Sequence, residues 1–380
     1  MRRSDLKPLF RPFEIGALAA PTAGERVLFL GAEPGMVQPE DFAATITCVQ
    51  GFRPHFLALA RERRTVSPVA EGEGYDAALV LASRHRAENE TRLAEAIQRV
   101  RAGGLVVMAG GREDGVAALR ERLEKNRNSL REALRGQSSR PPTVVRHNGG
   151  VALASEPPER QYHFLKAPVP LGGHLSKSHG VVFWLTRTPE AEAFAAQAIE
   201  WHGGRPLTAG RFRTAPSSFS HDRIDAGSKL LADCLPADLK GAVADFCAGW
   251  GYLAAEVVRR CPGVARIDLY EADYDSLEAA KRNLEGFAAA RFFWQDLAAE
   301  PVAERYDAIV MNPPFHRGRA AEPGIGRDMI GAAASALRKG GRLFMVANRE
   351  LPYEATLGQL FAQWRETARE GGFKTFVATR

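Results

Sequence analysis

The same series of elements is readable twice along the chain, and this duplication limits the possible folds more than any other feature. In each copy an apolar segment that begins Tyr-Asp-Ala is followed by a helical pattern and then by a Gly-Gly apolar segment. The first copy contains Tyr75–Leu81 and Gly103–Met108, and the second contains Tyr306–Met311 and Gly341–Val346. Short buried strands that alternate with helices are typical of an α/β fold with a parallel sheet. The chain therefore predicts two copies of one α/β fold.

The length of the chain agrees with two domains. Its 380 residues exceed the usual size of a single hydrophobic core. Residues 141–180, between the copies, are rich in Pro, Gly, His and Ser, which favours irregular connections. A strand is predicted over 181–185, and a helix over 189–201. We therefore expect domains over residues 1–190 and 191–380.

The composition indicates a folded protein of the cytoplasm. Hydrophobic residues make up 45% of the chain and charged residues 25%, as in ordinary globular proteins. No apolar region follows the basic start Met1-Arg2-Arg3, and no segment approaches the roughly 18 apolar residues that would span a bilayer. We therefore expect neither export nor a membrane partner.

The cysteines and the net charge limit the possible ligands. The four cysteines lack the spacing of metal ligands, which suits reduced thiols and predicts no metal site. The net charge of +6 attracts polyanions such as nucleic acid. A solvated basic surface explains that charge equally well. The cysteines are Cys48, Cys234, Cys247 and Cys261.

A glycine-rich turn lies between a strand and a helix in the second copy. Asp245–Gly251 follows the strand Ala242–Phe246 and precedes the helix Leu253–Arg260. In this context backbone N–H groups and a helix N-terminus approach a ligand, which predicts a nucleotide-like cofactor. The turn lacks a Gly-Lys-Ser/Thr ending, which disfavours a triphosphate, and a turn without a ligand is the alternative. The candidate cofactor residues here are Asp245, Cys247, Gly249 and Gly251.

Two acidic residues follow the turn at the ends of later strands. Glu271 lies twenty residues beyond Gly251, where a carboxylate accepts hydrogen bonds from both ribose hydroxyls of a nucleoside. A dinucleotide site would also place an acid there. Asp296, at the predicted end of the third strand, is a candidate acceptor for an adenine amino group. Capping of the next turn explains Asp296 equally well.

The motif Asn312-Pro313-Pro314-Phe315 separates these alternatives. The prolines lack N–H donors and stiffen the backbone, so the Asn312 amide oxygen and the Pro313 carbonyl become fixed acceptors. Such acceptors suit an amino group, and Phe315 offers a face on which a planar base stacks. A stiff turn is the simpler explanation, but the position at a strand end of the same sheet as Glu271 favours a catalytic role.

These residues together form the pattern of class I methyltransferases, and the chain resembles the bacterial ribosomal RNA guanine-N2-methyltransferases. The resemblance covers most of residues 217–380, including Asp225–Leu231, Asn312–His316 and Val346–Tyr353. It implies two tandem Rossmann-like domains and S-adenosyl-L-methionine as the cofactor. The implied reaction is methylation of the N2 amine of a guanine in 16S ribosomal RNA, either free or in the small ribosomal subunit.

Other functions remain open at this point. The same reaction on 23S ribosomal RNA fits the C-terminal half similarly. A non-catalytic RNA-binding or assembly protein with the same fold is a further alternative. Adenine-N6 and protein-glutamine methyltransferases also use an Asn-Pro-Pro-aromatic motif, but the tandem plan and the segment Val346–Tyr353 speak against both.

The resemblance implies that the N-terminal domain is degenerate and inactive. It extends more weakly to Arg26–Phe29 and Gly111–Val116. After Tyr75–Leu81 the chain continues with Ala82-Ser83-Arg84-His85-Arg86, which lacks the Asn-Pro-Pro acceptors. Such a domain is expected to help bind RNA or to support the fold of its partner, and Arg84 and Arg86 are compatible with RNA binding.

The cofactor turn departs from the family pattern at two positions. Cys247 stands where the first glycine is usual, and Trp250 replaces a small or polar residue. We expect the Cys247 side chain either to crowd the methionine part of the cofactor or to require a backbone dihedral that glycine tolerates better. Because Gly249, Gly251 and Glu271 are present, we expect a variant site that still binds the cofactor.

Overall fold

The computed structural model divides the chain into two compact units. The structure describes residues 7–124, 169–177, 180–203, 207–215, 223–314, 316–317, 320–321 and 323–380. Phe315, residues 1–6 and most of residues 141–180 lie outside this description. The first unit comprises Met1–Gln50 and Leu59–Arg205, and the second comprises Gly51–Ala58 and Pro206–Arg380.

The first unit contains a seven-stranded sheet in the order β3-β2-β1-β4-β5-β7-β6. Strand β7 is antiparallel to both of its neighbours, and the other pairs are parallel. The strands are β1 (Arg26–Leu30), β2 (Thr45–Val49), β3 (Thr65–Ser67), β4 (Tyr75–Leu81), β5 (Val100–Gly111), β6 (Leu171–Lys177) and β7 (Gly180–Thr186). The helices are α1 (Lys7–Glu14), α3 (Arg86–Arg99) and α4 (Pro189–Gly203), and residues 116–124 are also helical. Helix α2 (Arg53–Arg61) begins in the segment Gly51–Ala58 of the second unit and ends in the first unit.

The second unit contains a seven-stranded sheet in the order β10-β9-β8-β11-β14-β16-β15 and a hairpin of β12 and β13. The sheet strands are β8 (Lys240–Phe246), β9 (Gly263–Glu271), β10 (Ala290–Trp294), β11 (Tyr306–Met311), β14 (Leu337–Asn348), β15 (Gln363–Glu370) and β16 (Phe373–Thr379). The hairpin strands are β12 (His316–Arg317) and β13 (Ala320–Ala321). The helices are α5 (Ala226–Cys234), α6 (Tyr252–Arg260), α7 (Tyr274–Asn283), α8 (Pro323–Ala336) and α9 (Glu354–Leu360).

The two sheets have the same strand order, which confirms the predicted duplication. When the strands of each sheet are numbered separately in chain order, both sheets have the order 3-2-1-4-5-7-6. The seventh strand is antiparallel in both, so the sheets are mixed where the sequence pattern indicated a parallel sheet. The predicted strand over 181–185 is this seventh strand of the first sheet.

The aspartate of each Tyr-Asp-Ala segment joins three strands of its sheet. Asp76 accepts a hydrogen bond from a backbone N–H of β1 at 2.9 Å and one from Arg101 of β5 at 2.9 Å. Asp307 likewise accepts from a backbone N–H of β8 at 2.8 Å and from Arg338 of β14 at 2.6 Å. The repeated sequence feature therefore has the same structural role in both units.

Both faces of the second sheet are covered by helices. Val243 and Ile267 pack on one face with Val257 of α6, and Ile309 packs on the other with Ile330 of α8. Burial on both faces explains why the central strands are continuous apolar runs. None of the described helices is both long and apolar enough to cross a membrane.

Candidate active site

The carboxyl ends of three neighbouring strands bring the predicted site residues to one edge of the second sheet. Strand β8 lies between β9 and β11 and is parallel to both. The cofactor turn follows β8, Glu271 is the last residue of β9, and Asn312 directly follows β11. In open α/β sheets, ligands bind in the crevice outside the carboxyl ends of the strands.

The turn after β8 contains three residues with left-handed backbone conformation. The φ angles are +58° at Cys247, +54° at Gly249 and +84° at Gly251. Gly251 is the N-cap residue of α6, and a Cβ atom there would lie 3.1 Å from side-chain carbons of Ala280 and Leu284. The same φ at Cys247 is unfavourable for a residue with a Cβ. The unusual dihedral expected at Cys247 is therefore present.

Trp250 faces the hydrophobic core of the second unit. Its side chain is buried, with ring centroids 5.0 Å from Phe212 and 5.8 Å from Tyr252. The backbone carbonyl of Trp250 accepts a hydrogen bond from the Asn283 side chain at 2.8 Å. The large residue in the turn is thus explained by packing.

Glu271 is held by backbone N–H groups on both of its carboxylate oxygens. Gly249 donates to Oε2 at 2.7 Å, and Asp273 donates to Oε1 at 2.8 Å. Burial raises the pKa of Glu271 to about 7, although these hydrogen bonds act in the opposite direction. The Glu271 carboxyl group therefore links the turn after β8 to the end of β9.

Asp245 is fully buried beneath the turn. Its Oδ2 accepts a hydrogen bond from the backbone N–H of Ala254 at 2.9 Å, and within the described residues no donor reaches Oδ1. Burial, with a smaller contribution from the negative charge of Glu271, raises the pKa of Asp245 to about 8. An orphaned carboxyl oxygen of this kind favours a ligand with a cationic donor.

Asp296 shows the geometry of a turn cap. Its Oδ1 accepts from the backbone N–H of Ala298 at 3.0 Å, and its own N–H donates to Glu300 Oε2 at 2.9 Å. Arg53 forms two hydrogen bonds with the Glu300 carboxylate, at 2.9 and 2.7 Å. The backbone position of Asp296 is therefore fixed through Glu300.

Asn312 is oriented by two side chains of the second unit. Its Nδ2 donates to Ser228 Oγ at 2.8 Å and to Asp225 Oδ2 at 3.0 Å. Pro313 is buried and Pro314 is exposed. The side chain of Phe315 lies outside the described residues. Three of the four residues of the predicted motif are thus at the strand end beside the turn.

The contacts of Asp225 and Ser228 with Asn312 are absent from the sequence-based prediction. Both residues lie in a segment that carries the family resemblance, but no role was assigned to either. The local signal is the Asp-x-x-Ser pattern of a helix start, because Asp225 caps α5 by accepting from the Ser228 N–H at 2.8 Å. That pattern indicates a helix cap, but it does not indicate that Asn312 is a hydrogen-bond partner of the two residues.

The strand registers identify the corresponding positions of the first unit. Val80 pairs with Leu30 and Met311 pairs with Phe246, so Leu81 corresponds to Asn312. The segment of the first unit that corresponds to the Asn-Pro-Pro motif therefore begins at Leu81, one residue before the predicted Ala82–Arg86. By the same registers, Gln50 corresponds to Glu271 and Gly31 corresponds to Cys247.

An arginine occupies the corresponding crevice of the first unit. Arg92 Nη1 donates to the backbone carbonyl of Leu81 at 2.9 Å, and it would lie 2.6 Å from a Cβ atom added to Gly31. Gln50 Nε2 donates to the Ala32 carbonyl at 2.6 Å. The space between these strand ends is therefore filled by side chains of the unit itself. Arg84 and Arg86 are both exposed, and Arg86 pairs with the buried Glu90.

No described group of three or more His, Cys, Asp and Glu side chains is placed to hold a metal ion. The four cysteines are free thiols. The described site residues offer carboxylates, backbone N–H groups and an amide oxygen.

The second unit is similar to known proteins. Residues 209–377 match the family model described as Methyltransferase small domain. Ribosomal RNA small subunit methyltransferase C of Shigella boydii serotype 4 is 33% identical over 166 residues, which cover 44% of this chain and 48% of that protein. The protein of the same name from Cronobacter sakazakii is 34% identical over 181 residues, which cover 47% of this chain and 52% of that protein. The match thus spans about half the length of these relatives.

A solved structure resembles the whole chain. The T. thermophilus 16S rRNA N2 methyltransferase in complex with AdoMet and guanosine aligns with a TM-score of 0.69 and 22% sequence identity. The alignment covers 100% of this chain and 92% of that one, so the tandem class I methyltransferase fold is confirmed. The family resemblance predicted from the sequence is confirmed as well. Residues 209–377 thus match the methyltransferase small domain family, and this half of the chain is similar to ribosomal RNA small subunit methyltransferase C.

Proposed function

We propose that this chain transfers a methyl group from S-adenosyl-L-methionine to the N2 amine of a guanine in 16S ribosomal RNA. The substrate is the RNA itself or the small ribosomal subunit, and the cytoplasm is the corresponding location. The relatives named above are named as small-subunit ribosomal RNA methyltransferases, and the similar solved structure is described as a 16S rRNA N2 methyltransferase in complex with AdoMet and guanosine.

The observation that carries the proposal is the position of Asn312 beside the cofactor turn. Asn312 ends β11, and the turn of Cys247–Gly251 ends the adjacent strand β8. The Nδ2 of Asn312 is engaged by Ser228 and Asp225, so its Oδ1 remains as an acceptor. An acceptor next to a nucleoside-type cofactor turn suits a substrate amine.

The residues at the turn fit S-adenosyl-L-methionine. The orphaned Oδ1 of Asp245 is suited to the cationic amino group of the methionine part. Glu271 is proposed to accept from the ribose hydroxyls, and Asp296 to accept from the adenine amine. The φ of +54° and the open space beside Gly249 leave room for close approach of a ligand to the backbone.

The chemistry requires positioning more than proton transfer by the protein. The bound cofactor supplies an electrophilic methyl group on a sulfonium. Asn312 Oδ1 and the Pro313 carbonyl are proposed to accept the two N–H groups of the exocyclic amine, which orients its nitrogen lone pair. Phe315 is proposed to stack on the base. The amine loses a proton after transfer, so the proposal requires no strong general base.

The first unit is proposed to be an inactive copy that supports RNA binding or the fold of the second unit. Leu81 offers no side-chain acceptor at the position of Asn312, and Arg92 occupies the corresponding crevice. The exposed Arg84 is suited to a phosphate. We propose the functional division of the chain as residues 1–190 and 191–380, whereas the first compact unit extends further, to Arg205.

The test is methyl transfer from labelled S-adenosyl-L-methionine to separated ribosomal subunits and to their naked RNAs, followed by nucleoside analysis. N2-methylguanosine in 16S RNA is the expected product. The same nucleoside in 23S RNA would instead support the large-subunit alternative. RNA binding without incorporation into any substrate would support a non-catalytic RNA-binding or assembly protein.

A further inference from the structure

The carboxamide of Asn312 has one defined orientation. Its NH2 group has two acceptors, Ser228 Oγ at 2.8 Å and Asp225 Oδ2 at 3.0 Å. Within the described residues no hydrogen bond is made to Asn312 Oδ1. The amide therefore donates on the side of α5 and keeps its oxygen for another partner.

A reversed amide would be unfavourable in this environment. It would place Oδ1 against the carboxylate of Asp225, where two acceptors repel each other and no N–H is shared. It would also turn the NH2 group away from its two present acceptors. A substrate amine donates hydrogen bonds through its N–H groups. The NH2 group of a reversed Asn312 amide would face these N–H groups and could not accept from them. The orientation of Asn312 thus decides whether the site accepts an amine.

The two acceptors are themselves fixed by the start of α5. Asp225 is the N-cap residue, and its Oδ2 accepts from the backbone N–H of Ser228 at 2.8 Å. Gly227 packs closely against β16, because a Cβ atom there would lie 2.8 Å from the ring of Phe373. The first turn of α5 is therefore held by its cap and by the sheet.

The hydroxyl of Ser228 is not required for this cap. Helix α7 begins with the same Asp-x-x-Ser pattern, in which Asp273 accepts from the backbone N–H of Ser276 at 2.9 Å. In both helices the cap uses the aspartate oxygen and the serine N–H. The Ser228 Oγ contact with Asn312 is thus additional to the requirements of helix capping.

We infer that Asp225 and Ser228 are positioning residues that hold the Asn312 amide with its oxygen towards the substrate amine. This inference rests on the proposed function, since it concerns the amine that the site would accept. Neither residue needs to touch the substrate for this role. Their effect is expected in the turnover number, with little change in cofactor affinity.

Four variants test the inference. Ser228→Ala removes one acceptor and keeps a good helix former at that position. Asp225→Ala removes the other acceptor and the cap. Asp225→Asn is the conservative variant, because both present hydrogen bonds to Asp225 use the single oxygen Oδ2, which an asparagine oxygen can replace. Ser335→Ala is the matched control, since Ser335 is an exposed serine of α8 in the same unit.

Turnover and binding are measured separately for each variant. We expect Ser228→Ala to lower kcat by about three- to tenfold, the usual effect of one lost hydrogen bond, while the Kd of S-adenosyl-L-methionine by calorimetry and the Tm stay unchanged. Asp225→Ala is expected to lose more activity, and Asp225→Asn to restore most of it. Ser335→Ala is expected to match the wild type.

A second readout does not depend on turnover. Asparagine-selective nitrogen labelling shows the side-chain NH2 signals of Asn312, which are assigned by their loss in Asn312→Ala. We expect Ser228→Ala to shift these signals and to speed their exchange with solvent. Unchanged signals and unchanged kcat in Ser228→Ala and Asp225→Ala, with an active wild type, would overturn the inference.

The failure of the proposed function looks different. A wild type that methylates no ribosomal RNA contradicts that function, whatever the NH2 signals show. A loss of Tm or of cofactor affinity in Ser228→Ala that matches its loss of kcat would assign Ser228 a purely structural role, and this too would overturn the inference.

Discussion

The backbone N–H of Gly249 donates to Glu271 Oε2 at 2.7 Å, which joins the turn after β8 to the end of β9. Loss of this carboxylate removes the proposed ribose acceptor and releases the turn at the same time. We expect Glu271→Ala to weaken binding of S-adenosyl-L-methionine by about tenfold or more, since hydrogen bonds to charged groups are among the stronger ones. Glu271→Gln keeps an oxygen that can accept from the Gly249 N–H, so we expect it to lose less affinity for S-adenosyl-L-methionine. An unchanged Kd in calorimetry for Glu271→Ala would exclude the ribose contact.

Cofactor binding is expected to depend on pH through Asp245. The free protein keeps a proton on this carboxyl up to pH of about 8, because burial raises its pKa to about 8. A cationic amino group favours the ionised carboxylate, so binding at lower pH releases the proton. The affinity is therefore expected to rise as the pH increases towards about 8 and then to level off.

The pH dependence is measured by calorimetry in buffers of different ionisation enthalpy, which also counts the released protons. Asp245→Asn cannot release a proton, so its Kd is expected to be weaker and to vary less with pH. The contribution of Glu271, whose pKa is raised to about 7, remains in that variant. A wild-type affinity that does not change across this range would contradict an ammonium contact at Asp245.

The left-handed backbone conformation of Cys247 is expected to lower the stability of the protein. Its φ is +58°, which costs a residue with a Cβ about 1–2 kcal/mol. Cys247→Gly relieves this strain but loses about 0.5–1 kcal/mol through the greater freedom of glycine in the unfolded chain. We expect a net gain between zero and about 1.5 kcal/mol in the free energy of unfolding by chemical denaturation, with cofactor binding equal or tighter. Cys247→Ala removes the thiol and keeps the strained backbone. A gain in stability in that variant would therefore mean that the thiol, and not the backbone strain, destabilises the protein.

Asn312→Ala tests the proposed acceptor for the substrate amine. The variant keeps Asp245 and the turn, so the Kd of S-adenosyl-L-methionine is expected to stay nearly unchanged. Transfer is expected to fall by about a hundredfold or more, because the amine is no longer held in a reactive position. Single-turnover assays with the methylated RNA analysed as nucleosides provide the measurement. Turnover close to that of the wild type would remove Asn312 from the mechanism.

The central strands were predictable because burial on both faces gives them continuous apolar runs. Tyr306–Met311 is found with the predicted bounds, and the apolar core of β14 lies within the longer strand Leu337–Asn348. Strand β15 was missed because its eight residues, Gln363–Glu370, are mostly polar and none is buried. Edge strands commonly carry charges, which removes the alternation that identifies a strand in the sequence.

The candidate site was predictable where its residues lie close together in sequence. The turn around Gly249 and the acid Glu271 are readable from spacing, because each ends a strand of the same sheet. The contacts of Asn312 with Asp225 and Ser228 span 87 and 84 residues, and no local pattern specifies such pairs. The core-facing position of Trp250 likewise follows from packing that the sequence does not display.

Arg53 lies far from Asp296 in the sequence and supports the loop that contains it. Its guanidinium forms two hydrogen bonds with Glu300 and lies 4.7 Å from the ring centroid of Trp294. The side chains of this ion pair are only 22% and 26% exposed, so loss of Arg53 leaves Glu300 partly buried without its cation. We expect Arg53→Ala to lower the free energy of unfolding by about 1–2 kcal/mol.

The same change tests the path from Arg53 to the cofactor. Glu300 Oε2 also accepts from the backbone N–H of Asp296, so a displaced Glu300 is expected to weaken cofactor binding by about threefold to tenfold. Arg53→Lys keeps the positive charge but cannot form two hydrogen bonds with Glu300 in the geometry of a guanidinium. We therefore expect its cofactor affinity to lie between those of the wild type and Arg53→Ala. Arg349→Ala is the control, because its pair with Glu350 is exposed on the surface. A cofactor Kd in Arg53→Ala equal to that of the control would mean that Asp296 either does not contact the cofactor or does not need Glu300 for its position.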